Sequence, residues 1–78
     1  MNFNEVYTLQ KSLKNNEVLR LELVNNKIIM ISDEDTLNRD NYNCNILHVV
    51  KKLSTGVQTI LIDLDYIVVA CNTRKVKV

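Results

Sequence analysis

The spacing of apolar positions changes character several times along this chain. Residues 3–14, FNEVYTLQKSLK, put Phe3, Val6, Tyr7, Leu9 and Leu13 on one side of a helical wheel and Asn4, Thr8 and Ser12 on the other. Asn2 with Glu5 three residues on has the pattern of a capping box, and Asn15-Asn16 suits the left-handed stop of a helix. From Glu17 to Val24 the period shortens to two. Leu19, Leu21 and Leu23 alternate with Arg20 and Glu22, which predicts a half-buried strand. Asn25-Asn26 suits a tight turn with positive φ, and Lys27–Ser32 then returns as the second strand of a hairpin. Its continuous apolar run predicts burial on both faces, or an outer face that meets something else.

Residues 33–43, DEDTLNRDNYN, are polar and predict an exposed loop, with one helical turn around Thr36–Asp40. In residues 46–54, ILHVVKKLS, the positions Ile46, Val49, Val50 and Leu53 follow helical spacing, Asn45 can cap the start, and Gly56 stands where a C-terminal glycine belongs. This predicts a second helix. Thr59–Cys71, TILIDLDYIVVAC, is the densest apolar run. Ile60, Ile62 and Leu64 alternate with Leu61 and Asp63, Asp65-Tyr66 makes a weak turn, and Ile67–Cys71 forms another strand. The tail, NTRKVKV, extends that strand or frays.

The two halves correspond. Val6, Leu9, Lys11, Leu13 and Asn16 have the mutual spacing of Ile46, Val49, Lys51, Leu53 and Gly56, and Leu19–Leu23 matches Ile60–Leu64. The predicted fold is therefore α+β, a two-layer αββαββ domain over residues 1–78. Its units, 2–32 and 44–73, are joined by the acidic loop 33–43, and a four-stranded antiparallel sheet carries both helices on one face. The order of helix, short strands and strand–LDYI–strand also resembles Sm-like and SH3-like small β-barrels with an N-terminal helix. In that alternative 46–52 is a strand, and Asn25-Asn26 replaces the glycine-containing turn of the first Sm hairpin.

Composition bounds the rest. Seventy-eight residues, 46% of them hydrophobic, make one small domain with a core of Ile, Leu and Val. A net charge of +1 excludes binding chiefly through a strong basic field. Cys44 and Cys71 make no disulfide framework, and the N-terminal residues show no signal peptide. No apolar run approaches a membrane span, so the expected location is cytoplasmic.

No enzyme motif emerges. His48 is the lone histidine and falls on the exposed side of the predicted helix, without a visible carboxylate or nucleophile beside it. Cys44 and Cys71 read as small apolar residues, with Cys71 inside a buried-looking run; a zinc site or any other cofactor is not expected. The strongest charge feature is the acidic group Asp33, Glu34, Asp35 and Asp40, which lacks calcium-loop spacing and is the candidate partner contact. Arg74, Lys75 and Lys77 form a basic tail that shields an edge strand. The expected function is a non-catalytic protein-binding module, an inhibitor or adaptor that occludes a larger protein or protein–nucleic-acid complex, with homodimerisation compatible. In size and composition the chain resembles phage-encoded inhibitors of bacterial defence, including anti-CRISPR proteins. The alternative is a small nucleic-acid-binding regulator in which Lys11, Lys14, Lys51, Lys52 and the basic tail converge into a stripe.

Overall fold

The computed structural model describes residues 1–75. The chain opens with helix α1 (Phe3–Lys11) and continues with six strands: β1 (Glu17–Leu23), β2 (Ile28–Ile31), β3 (Thr36–Arg39), β4 (Ile46–Leu53), β5 (Gly56–Asp63) and β6 (Ile67–Arg74). A single 3-10 turn, Leu64–Tyr66, links β5 to β6. The strands form two antiparallel three-stranded sheets, ordered β2-β1-β6 and β3-β4-β5.

The capping box forms as the sequence implies. The Asn2 side chain accepts from the Glu5 N–H at 2.9 Å, and the Glu5 carboxylate accepts from the Asn2 N–H at 3.1 Å. The helix stops earlier than its pattern predicts, at a Ser12 cap whose hydroxyl donates to the Leu9 carbonyl. Asn16, at φ 71°, instead shapes the turn that leads into β1. Asn26, at φ 68°, closes the predicted β1–β2 hairpin, in which Leu21 faces Ile29. β2 alternates: Ile31 is buried, while Ile28 and Met30 face outward and are nearly half exposed.

The predicted second helix does not exist. Ile46–Leu53 is strand β4, the centre of its sheet, paired with β3 through Leu37↔Val49 and with β5 through Leu47↔Ile62. A helical wheel strands Leu47 on the polar side, whereas alternation sends Leu47 and Val49 into the core, both fully buried. Ile46, Val49 and Val50 are β-branched and fit a pleated surface better than a helix. Gly56 is no helix terminus; at φ +152° it opens β5 after the hairpin tip. The polar segment after β2 holds strand β3 in place of a loop with a helical turn. The αββαββ duplication and its four-stranded sheet are thereby overturned, because the second unit has no helix and its strands belong to two different sheets. The extended state of 46–53 and the leading helix follow the element order of the small-barrel alternative, but the strands stand as two separate sheets, not one closed barrel.

One core serves both sheets. Leu19, Leu21 and Ile31 from the first sheet meet Leu37, Leu47, Val49 and Ile62 from the second, with Leu64 from the 3-10 turn. Helix α1 adds Val6, and Phe3 and Leu9 of the helix, with Leu13 just after it, pack against this core. Each sheet thus buries one face and presents the other to solvent.

Candidate interaction surfaces

The four acidic residues singled out from the sequence separate into distinct roles. Asp33 and Glu34 are exposed at the corner between β2 and β3. Asp35 is turned inward and belongs to that corner's framework. Its Oδ2 accepts from the Ser32 N–H at 2.9 Å and pairs with Lys51 Nζ of β4, and its carboxylate side chain is only 9% exposed. Lys51 also donates to the Met30 carbonyl at 2.7 Å, so one ammonium ties the outer edge of β2 to the second sheet. The corner is completed from the helix. Gln10, buried at 2% exposure, donates through Nε2 to the Ser32 carbonyl at 2.9 Å and the Asp35 carbonyl at 2.6 Å. Gln10 was missed in the sequence because it is polar on an otherwise apolar face. Lys51 offered a signal, since on β4 it has the parity of Leu47 and Val49, and an inward lysine requires a carboxylate.

Asp40 shapes the β3–β4 connection. Its Oδ2 accepts from the Tyr42 N–H at 3.0 Å and the Asn43 N–H at 2.9 Å, while Oδ1 lies 2.8 Å from His48 Nε2. The Tyr42 amide, then the imidazole, holds the Asp40 carboxyl below the ordinary aspartate pKa. His48 is half-buried on the outer face of β4 and not fully exposed, because β4 is a strand. A polar hollow lined by Asn38, Arg39, Asp40, Asn41, Tyr42 and His48 surrounds the pair. An acid–imidazole pair can move a proton, but none of these lining residues is a serine or cysteine nucleophile. Both thiols are free and exposed. Cys71 lies opposite Arg20 on the outer face of its sheet, not in the buried run that its apolar neighbours suggest. Among the described residues no group of His, Cys, Asp or Glu side chains gathers to hold a metal ion, and no helix is long and apolar enough to cross a membrane.

Several of the basic residues have local partners. Lys51 is engaged in the corner, and Lys11 stands over the Tyr7 ring at 5.1 Å. Arg39 covers the Phe3 ring at 4.9 Å and donates to Asn4 Oδ1 at 2.7 Å, pinning α1 to β3. Of the basic tail, Arg74 ends β6, Lys75 follows it, and Lys77 lies outside the described residues.

The remaining surface feature is apolar. β5 pairs only with β4, and β6 only with β1, so each leaves one backbone edge unpaired among the described residues. Neither strand carries a charge over Gly56–Ile62 or Ile67–Thr73. Val57 and Leu61 on β5, and Val68 and Val69 on β6, are exposed. No family model, curated protein or solved structure matches this chain.

Proposed function

We propose that this chain is a non-catalytic protein-binding module, a small inhibitor or adaptor that acts by occluding a larger partner. The observation that carries the reading is the pair of edge strands β5 and β6, uncharged apart from the last residue of each, with Val57, Leu61, Val68 and Val69 exposed on them. Edge strands are normally blunted by lysine, proline or a covering element, and an edge without such protection accepts a strand from another chain. Backbone hydrogen bonds along the edge would supply attachment, and the exposed valines and leucine would supply selectivity. Asp33 and Glu34 add an acidic contact free of internal duty, whereas Asp35 and Asp40 hold the fold. The resemblance in size and composition to phage-encoded inhibitors directs the search for a partner to bacterial defence complexes.

The test is affinity capture against such complexes, read by mass spectrometry, using wild type, Leu61→Lys and Val68→Lys. Both side chains are more than half exposed, so the variants should fold. The expected result is loss of capture in at least one edge variant with an unchanged circular dichroism spectrum. Capture that is equal in all three proteins overturns the edge reading. Light scattering on the same proteins shows whether the edge binds a second copy of the chain.

A further inference from the structure

We propose that the outer face of the β2-β1-β6 sheet is a groove for an acidic, apolar peptide segment of a protein partner. The inference rests on the protein-binding reading and adds the chemistry of what is held. Strand parity sends Leu19 and Leu21 to the core and Val18, Arg20 and Glu22 to the outer face. Cross-strand register sets Met30 and Cys71 beside Arg20, and Ile28 and Val69 beside Glu22. At the Val18 end of this face lies a depression of about 700 Å³, bordered by Arg20, Ile28 and Met30 and by Thr73, Arg74 and Lys75. Val18 is its floor: it is 9% exposed, yet it lies outside the core cluster. Ile28 and Met30 form an apolar wall, and Arg20, Arg74 and Lys75 supply positive charge.

Arg20 is oriented by Glu22 at 3.2 Å, and the Lys75 backbone is fixed by its N–H donating to the Asn16 carbonyl at 2.6 Å. Among the described residues, Arg74 and Lys75 have no carboxylate partner. Apolar floor and cationic rim together select a ligand that is both apolar and anionic. No aromatic ring lines the groove, so it lacks the stacking platform on which single-stranded nucleic acid is held. Ile28 and Met30 remain nearly half exposed, so the site is an open trough suited to a row of side chains.

Fluorescence anisotropy tests this with a short labelled peptide alternating glutamate and leucine. A lysine–leucine peptide, a glutamate–serine peptide and a labelled oligothymidine serve as competitors of different chemistry. The glutamate–leucine peptide is expected to bind, more weakly as salt rises, and to lose about tenfold or more in affinity in R74E/K75E and in Met30→Glu. Equal binding of the lysine–leucine peptide, stronger binding of oligothymidine, or unchanged affinity in both variants overturns the assignment. Circular dichroism confirms that each variant is folded. Should no peptide bind while Leu61→Lys or Val68→Lys still abolishes partner capture, the groove assignment fails and the protein-binding reading stands. Peptide binding with capture indifferent to the edge variants would have the reverse meaning.

Discussion

Replacing Gln10 by leucine is the sharpest probe of how the two sheets are held together. The side chain is nearly as large and fits the apolar side of α1, so little volume is lost. What disappears is the amide that donates to the Ser32 and Asp35 carbonyls at 2.9 and 2.6 Å; the Ser32 carbonyl keeps the Asp35 N–H at 3.2 Å, so the Asp35 carbonyl is the acceptor left without a donor. The orphaned Asp35 acceptor costs about 1–3 kcal/mol and the second lost bond about 0.5–1.5 kcal/mol, partly offset by about 1 kcal/mol from added apolar burial. The net loss is then about 0.5–3.5 kcal/mol, against a total of about 4–12 kcal/mol for a domain of this length. Urea denaturation followed by circular dichroism should show a lower midpoint with an unchanged m-value, and the melting temperature should fall by several degrees. A double-mutant cycle with Lys51→Met should be non-additive, because both residues serve one corner. A Gln10→Leu protein within about 0.5 kcal/mol of wild type would refute the claim that this amide holds the corner.

Three further outcomes follow from the same physics. Reversing D33K/E34K should leave the urea midpoint nearly unchanged, whereas adding D35K should cost about 3–5 kcal/mol by placing two lysines at one partly buried site; partner-capture experiments must therefore use the double variant. Because the folded-state pKa of Asp40 is depressed, its contribution is present above the unfolded aspartate value and is lost as pH falls through the lower folded value; Asp40→Asn should flatten the stability–pH curve below about pH 4, and an unchanged curve would contradict the assignment. Gly56→Ala should cost about 1 kcal/mol through backbone strain alone, since φ is +152° and no atom lies within 4 Å of a built Cβ, so thermal melting should drop by a few degrees without further structural change.

The parts legible in the sequence are those where local chemistry and tertiary packing agree. The Asn2–Glu5 box, the alternation of Leu19 and Leu21, and the Asn25-Asn26 turn each report one local choice, and each appears in the structure. β4 was illegible because Ile46, Val49, Val50 and Leu53 satisfy helical spacing while both faces of the strand carry apolar residues. Only the fate of Leu47 separates the two states, and that depends on strands β3 and β5 arriving on either side. The false duplication has the same origin, since a two-sided strand can mimic an amphipathic helix. For the acidic residues, charge alone suggested a single exposed group. Ser32-x-x-Asp35 is in fact a local side-chain-to-backbone turn, and Lys51 completes it from β4, where its inward parity shows only once 46–53 is read as a strand.

The register that places Glu17 opposite Arg74 carries a cost in time. During synthesis β1 and β2 emerge early, yet one side of β1 must wait, unzipped, until nearly all of the domain has been made. The β3-β4-β5 meander can assemble from neighbours in sequence meanwhile. The first sheet can therefore close only once β6 has been made, and any premature stop before β6 would leave β1 open to whatever chain it meets.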